Sequence, residues 1–314
     1  MLMRVLIAEF MDEAAVAALR QSFEVAYDAG LAERRSALVG SMAAADALIV
    51  RNRTRVDREL LEAAPKLKVV GRLGVGLDNI DLAACGARRI EVIPARGANA
   101  LAVAEYVVGV ALVLLRGAFL ATDAVASGRW PREALSSGRE VAGKTLGAVG
   151  FGDIGRLTAR LARALGMRVI AFDAQIPAAA ALWSEHQVAP RGLDEVLRES
   201  DIVSLHVPLT PATRHLIDAA RLASMKPGAI LVNTARGGVI DEAALASMLR
   251  TGRLAGAALD VFETEPLAAG SALAGCPNLL LTPHIAGVTQ ESNLRVSALI
   301  ADRVAAALRA RAEP

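Results

Sequence analysis

Aromatic residues are scarce in this chain: six Phe, two Tyr and two Trp among 314 residues. The 35 Lys and Arg nearly balance the 33 Asp and Glu, and no dense basic block stands out. A nucleic-acid-binding surface needs clustered cations and stacking rings, so this composition argues against that class of partner. Only four of the 35 basic residues are Lys, so a lone Arg carries little weight as a signal. There are two cysteines, Cys85 and Cys276, with no CxxC and no His/Cys cluster. Neither a disulfide framework nor a zinc site is indicated, and no metal is expected. The longest apolar run, Tyr106–Leu115, has ten residues between Glu105 and Arg116, too few to span a hydrocarbon core of ~30 Å. The opening MLMRVLIAEFMDE turns acidic after a short apolar stretch and has no small-residue cleavage site, unlike a secretory signal. The expectation is a soluble cytoplasmic protein with no membrane partner.

What is present is core-forming material. The chain is 54% hydrophobic and 22% charged, a globular composition, and its length predicts two domains at ~100 to 200 residues each. Short apolar runs, many of them β-branched, read as buried strands: 4–8, 47–50, 68–70, 145–149, 168–172, 201–205, 229–232, 255–259 and 278–281. Helical stretches such as 154–165, 193–199, 241–249 and 291–310 lie between or after them. Strands alternating with helices predict parallel sheets covered on both faces, with right-handed crossovers. A division falls near residue 98. The segment 99–120 reads as one apolar helix, a polar stretch 126–140 follows, and a second series of strands and helices starts at Thr145. The last helix has no strand after it, so it is expected to return to the first domain.

The second series opens with TLGAVGFGDIGRLTARLARALGMRVIAFD, in which Gly150, Gly152 and Gly155 form GxGxxG. The motif alone is weak in a chain with 26 glycines. Its context, strand then turn then helix then strand then acid, makes it specific for a dinucleotide. Gly150 permits the tight turn, Gly152 lets backbone approach a pyrophosphate, and Gly155 lets helix and strand pack closely. The N–H groups of Asp153 and Ile154 then face the phosphates at a helix N-terminus. Asp173 follows Gly155 by 18 residues, where a carboxylate can accept from both ribose hydroxyls and repel the 2′-phosphate of NADP. No Arg follows in Ala174-Gln175-Ile176. The expected cofactor is NAD.

Ligands of open parallel sheets sit beyond the C-terminal ends of the strands. Here those ends carry His206, then Asn233-Thr234-Ala235-Arg236, then Asp260, then Thr282-Pro283-His284. Two of the four histidines stand there; His186 and His215 read as surface residues. Hydride transfer to a carbonyl creates an alkoxide that needs a proton, and an imidazole with an ordinary pKa of ~6.5 supplies it near neutrality. A neighbouring carboxylate would orient that ring, with Glu265 the candidate and Glu263 a competitor. An Arg such as Arg236 can hold a 2-oxo acid carboxylate through its planar fork. Each of these also has a plain structural reading: a capped strand end, a solvated loop acid, a surface ion pair.

GFGDIGR at 150–156, SLHVPLTPATRHLI at 204–217, MKPGAILVNTARGGVIDEAAL at 225–245, ALDVFETEP at 258–266 and LLTPHIAG at 280–287 together resemble the D-isomer-specific 2-hydroxyacid dehydrogenases along almost the whole chain. The resemblance implies two doubly wound parallel α/β domains. One is a discontinuous flavodoxin-like substrate domain, 1–98 plus 288–314. The other is a Rossmann NAD domain, 99–287, through which such proteins are usually dimeric. It implies a catalytic triad of Arg236, Glu265 and His284. It further implies NAD contacts from Val103, Gly150, Gly152, Asp153, Ile154, Gly155, Asp173, His206, Val207, Pro208, Thr213, Thr234, Ala235, Arg236, Asp260, His284 and Gly287.

VVGRLGVGLDNID at 69–81 and LIVRNRT at 48–54 resemble the phosphoglycerate dehydrogenase branch, and AEFMDEAAV resembles the sulfolactate dehydrogenases of the same family. The chain stops at 314, where the long phosphoglycerate dehydrogenases continue into a regulatory domain. On this resemblance the N–H groups of Gly74, Val75 and Gly76 help hold the substrate carboxylate, alongside Arg236 and His284. Arg51 and Arg53, two apart on an extended segment, would point the same way and suit a second anion, phosphate or sulfonate. The bland reading is two solvated arginines. The expected activity is interconversion of a small, dianionic 2-hydroxy acid and its 2-oxo acid. Hydroxypyruvate or glyoxylate reduction is the alternative within the family, and a non-catalytic NAD-sensing regulator is the alternative outside enzymes. Formate dehydrogenases carry Gln where this chain has Glu265.

Overall fold

A computed structural model describes residues 2–311. Met1 and the last three residues of the expected 288–314 segment lie outside the described residues. The chain divides into two compact units, Met1–Asn99 with Val288–Pro314, and Ala100–Gly287.

The first unit is built on a five-stranded parallel sheet. Its strands are β1 (Arg4–Ile7), β2 (Glu24–Tyr27), β3 (Ala47–Val50), β4 (Val69–Arg72) and β5 (Glu91–Pro94), in the order β2-β1-β3-β4-β5. β3 reads ALIV and is buried throughout, as a central strand covered on both faces requires. The order reverses at β1, so the crevice between the ends of β1 and β3 is the switch point where such sheets take ligands. Asp12 caps the first helix, Glu13–Arg20, by accepting from the Ala14 N–H at 3.0 Å. The chain's last helix, Gln290–Ala310, starts with a reciprocal cap between Thr289 and Ser292. It buries Val296, Ile300, Val304 and Leu308, spaced by one helical turn. Each such side chain contributes roughly 1.5–3 kcal/mol. The helix lies so close to β4 that a Cβ on Gly71 would sit 2.8 Å from Val304 Cγ2 and 2.9 Å from Ile300 Cγ2.

The second unit carries β6 (Thr145–Val149), β7 (Arg168–Phe172), β8 (Ala189–Pro190), β9 (Ile202–Leu205), β10 (Ile230–Asn233), β11 (Gly256–Leu259) and β12 (Leu279–Leu281). All are parallel, in the order β12-β11-β10-β9-β6-β7-β8. The order reverses at β6, which places the turn after Val149 at the switch point. The sheet is a doubly wound Rossmann sheet, and with the first unit the chain has two parallel α/β domains.

Three strands and one helix differ from the sequence reading. β2, β5 and β8 were not expected. Two are edge strands with exposed or half-buried residues, and β8 is two residues long with a proline, so none presents a buried apolar run. The helix expected over 99–120 spans Ala100–Arg116. Gly117, at φ 68°, turns the chain left-handed and ends it; a 3₁₀ turn and a short helix, Thr122–Ala126, follow. No helix among the described residues is long and apolar enough to cross a membrane.

Candidate active site

The turn after β6 is shaped by two contacts that only glycine permits. Gly150 has φ 96° and a Cβ there would meet His206 O at 2.5 Å; a Cβ on Gly155 would meet Gly150 O at 2.3 Å. The helix Asp153–Ala164 therefore begins directly against the turn. Gly152 is different: a Cβ there meets nothing within 4 Å. The N–H groups of Gly152, Asp153 and Ile154 have no protein acceptor among the described residues. Free donors at a helix N-terminus beside open space form an anion cradle.

Asp173 stands just beyond β7. Its Oδ2 accepts from the Phe151 N–H and its Oδ1 from the Gln175 N–H, both at 2.8 Å, so it anchors the turn that it faces. His206 follows β9, and burial pushes its imidazole down to about 4. Both ring nitrogens, and Thr234 Oγ1, are buried without a hydrogen-bond partner among the described residues. The Thr213 hydroxyl donates to Pro208 O at 2.6 Å and ties the 208–213 loop. Val103 and Ala235 are buried; Val207 packs at the core's edge. The cradle, the orphaned polar atoms and the acid at the end of β7 fit a dinucleotide.

At the ends of β10, β11 and β12 the second cluster forms. Asn233 braces the Arg236 turn, donating from Nδ2 to Arg236 O at 2.9 Å and accepting the Ala235 N–H at 3.0 Å. A Cβ on Gly237 would fall 1.7 Å from Phe262 O, so that turn presses on the 262–265 loop. Glu265 Oε1 accepts from the Phe262 N–H at 3.1 Å, and Oε2 lies 2.8 Å from His284 Nδ1. Glu263, the competitor, pairs instead with His215 Nε2 at 3.2 Å. Burial and the charges of Glu263 and Glu265 push the nearby Glu242 carboxyl up.

Asp260 is 2% exposed, and both its oxygens are occupied: Oδ1 by Thr282 Oγ1 at 2.6 Å and the Ile285 N–H at 2.8 Å, Oδ2 by the Ala286 N–H at 2.8 Å. It staples the turn that carries His284 and leads to Gly287. Tyr106 reaches the same hydroxyl, 2.6 Å from Thr282 Oγ1. Burial pushes the Tyr106 phenol up, and the Asp260 charge adds to it. Sequence reading does not place Tyr106 in the site and names Thr282 only as part of a strand end. His186, read as a surface residue, packs its edge on Phe151, which stacks on Trp183 at 4.8 Å beneath the glycine turn.

In the first unit, two expectations change. The Gly74 N–H is committed to Arg72 O at 2.8 Å, leaving Val75 and Gly76 as the donors without an acceptor among the described residues. Residues 52–54 form bends rather than an extended segment, and the guanidiniums of Arg51 and Arg53 do not share a partner. Arg53 Nη1 pairs with Glu33 Oε1 at 2.7 Å on the surface. Arg51 is half-buried; its Nη2 donates to Asn293 Oδ1 at 2.7 Å and its guanidinium lies 5.6 Å from the Phe10 ring centroid.

Comparison with known proteins decides the family. The model for the D-isomer-specific 2-hydroxyacid dehydrogenase NAD-binding domain matches residues 108–286. An (S)-sulfolactate dehydrogenase from Chromohalobacter salexigens is 56% identical over 98% of this chain and 99% of its own. The chain belongs to the D-isomer-specific 2-hydroxyacid dehydrogenase family. A D-3-phosphoglycerate dehydrogenase from Methanocaldococcus jannaschii is 38% identical over 98% of this chain, which spans 58% of that protein's length. The crystal structure of the TT0316 protein from Thermus thermophilus superposes with a TM-score of 0.89 at 36% identity, covering 98% of this chain and 97% of the other. This member of the dehydrogenase family is an oxidoreductase with NAD as its cofactor and 2-hydroxy or 2-oxo acids as its substrate class.

Proposed function

We propose that the enzyme interconverts a small dianionic 2-hydroxy acid of the 3-sulfolactate type with its 2-oxo acid, 3-phosphoglycerate being the next substrate in rank. The single observation that carries the chemistry is the 2.8 Å contact between His284 Nδ1 and Glu265 Oε2. A carboxylate on Nδ1 orients the ring and fixes its tautomer, leaving Nε2 for the substrate oxygen.

NAD supplies the hydride acceptor and donor at the substrate's second carbon. The chain's own residues do the rest. Arg236 binds the carboxylate through its fork and polarises the adjacent carbonyl. His284 delivers the proton to the alkoxide oxygen in reduction and removes it in oxidation. Glu265 fixes the tautomer. Gly152, Asp153 and Ile154 hold the pyrophosphate, and Asp173 takes the ribose hydroxyls. Thr234 Oγ1 and His206, buried without partners, are assigned to the cofactor side, with Val103, Val207, Pro208, Ala235, Asp260 and Gly287 shaping its surroundings. Val75 and Gly76 N–H groups receive an anionic oxygen of the substrate, and Arg51 receives the third-carbon anion.

The substrate class rests on the 56% identity to a sulfolactate dehydrogenase over nearly the full length of both chains and on Arg51, a half-buried cation with a neutral partner. The descriptors agree in space. A sulfonate on the third carbon outranks the carboxyl group, so (S)-sulfolactate has the same spatial arrangement as the D-2-hydroxy acids that name the family. The same reading makes the enzyme a cytoplasmic homodimer through the NAD domain, where Leu112, Phe119, Val125 and Trp130 stand exposed along one stretch.

The test is initial-rate NADH oxidation with 3-sulfopyruvate, 3-phosphonooxypyruvate, hydroxypyruvate and glyoxylate. The proposal expects kcat/KM for 3-sulfopyruvate to exceed that for hydroxypyruvate. A reversed order overturns the dianion reading.

A further inference from the structure

The acid of the opening AEFMDE sits at the mouth of the first sheet, not on its surface. Glu9 follows β1 and is 3% exposed. Its Oε1 accepts from the N–H groups of Arg51 at 2.8 Å and Thr54 at 3.0 Å; its Oε2 accepts from the Arg53 N–H at 3.1 Å. From the other side, Asn79 Nδ2 donates to Arg51 O at 2.9 Å and Thr54 O at 2.7 Å. Two side chains thus hold both polar edges of one loop. Asn79 also follows the Gly74–Gly76 turn by three residues and joins the two loops through the Val56–Ile80 bridge. All of this lies at the switch point of the five-stranded sheet, between the ends of β1 and β3.

The loop presents Arg51. Phe10, the residue after Glu9, faces its guanidinium, and Asn293 Oδ1 takes one N–H. No carboxylate forms an ion pair with Arg51 among the described residues, whereas Arg53 is neutralised by Glu33. A guanidinium held against a ring and a neutral amide keeps its charge and its other donors for an incoming anion. Aligned in this way, it loses little freedom on binding.

We infer that Glu9 is a positioning residue for substrate recognition: it folds the Arg51–Thr54 loop, with Asn79, into the shape that receives the substrate's third-carbon sulfonate or phosphate. This rests on the reading that Arg51 binds that anion. Glu9 touches neither substrate nor cofactor. Its effect is therefore on KM for substrates with an anionic third carbon, not on the chemical step.

The experiment measures kcat and KM for 3-sulfopyruvate and for hydroxypyruvate in the unmodified enzyme, Glu9→Gln, Asn79→Ala and Arg51→Met. A Gln at position 9 turns an N–H donor toward backbone donors, so the loop must rearrange. Expected for Glu9→Gln and Asn79→Ala is a loss of about tenfold or more in kcat/KM for 3-sulfopyruvate, carried by KM, and a smaller loss for hydroxypyruvate. The dissociation constant for NADH stays unchanged. Glu9→Asp, which keeps the charge, should recover part of the loss. If Arg51→Met discriminates between the substrates but Glu9→Gln and Asn79→Ala do not, the positioning role is overturned. If Arg51→Met itself costs both substrates equally, the anion reading of Arg51 fails and the inference falls with it. If Glu9→Gln does not fold, Asn79→Ala alone decides.

Discussion

Glu265 and His284, 19 residues apart in the chain, meet at 2.8 Å between Oε2 and Nδ1, while the other oxygen of Glu265 is held by the Phe262 N–H at 3.1 Å. The acid is thus anchored by backbone on one side and aims the ring from the other. Replacing Glu265 with Gln breaks that logic. With the amide oxygen kept on the Phe262 N–H, the NH₂ faces Nδ1, which must then accept, so the ring is no longer held with its proton on Nδ1. The expected result is a kcat lower by roughly 10²-fold or more, with KM for NADH unchanged; stopped-flow and steady-state rates check it. A kcat within about threefold of the unmodified enzyme would show that Glu265 does not serve His284.

Asp173 predicts a preference for NADH over NADPH. Because its two oxygens also hold the N–H groups of Phe151 and Gln175, Asp173→Asn is a cleaner probe than removal of the side chain. The Asn keeps one of the two acceptors, gives up the bond to the other N–H, and loses the charge that repels a 2′-phosphate. The ratio of kcat/KM for the two cofactors should move toward NADPH in Asp173→Asn. Equal use of both cofactors by the unmodified enzyme is the contrary result.

Gly152 and Gly155 should separate binding from folding. A methyl on Gly155 collides with backbone at 2.3 Å, which costs about 1–3 kcal/mol of stability if the helix shifts. Gly152 has φ −76° and open space around it. Gly152→Ala should therefore keep or raise the Tm of the apoenzyme and weaken NADH binding, because the methyl stands where the pyrophosphate approaches. Thermal melts with and without NADH read both effects. A Gly152→Ala variant that binds NADH normally would move the phosphate site elsewhere.

His206 gives the fold an acid limit. Burial lowers its imidazole from 6.5 to about 4, so between those values the unfolded chain binds a proton that the native state refuses. Stability is then full above about pH 6.5 and falls as pH drops toward 4, by up to ~1.4 kcal/mol per pH unit for one group. Denaturant midpoints of the apoenzyme at pH about 7 and about 5 should differ more for the unmodified protein than for His206→Leu. Identical pH dependence in the two would contradict the burial argument.

Buried regular strands were the most legible part of the fold. β6 and β7 were read over 145–149 and 168–172, where the structure has them, because central parallel strands are continuous apolar runs. The edge strands β2 and β5 escaped because half their residues face outward and break that signal. In the site, the glycine turn is legible from its spacing together with the strand, helix, strand and acid around it. The His284–Glu265 pair is legible only as a choice between Glu265 and Glu263, since residues at the ends of β12 and β11 are brought together only by sheet order; the resemblance picks Glu265. Glu9 was illegible for another reason: in AEFMDE it looks like one of three solvated acids, and only the bend at 52–54 reveals its three backbone donors.

In the proposed mechanism His284 moves the proton in an NAD-dependent reduction of a 2-oxo acid. Single-turnover NADH oxidation by His284→Ala, with 3-sulfopyruvate at saturation, tests it most directly. The expected result is NADH binding as tight as in the unmodified enzyme and a rate lower by roughly 10²–10⁴-fold. A rate within about threefold of the unmodified enzyme would contradict it.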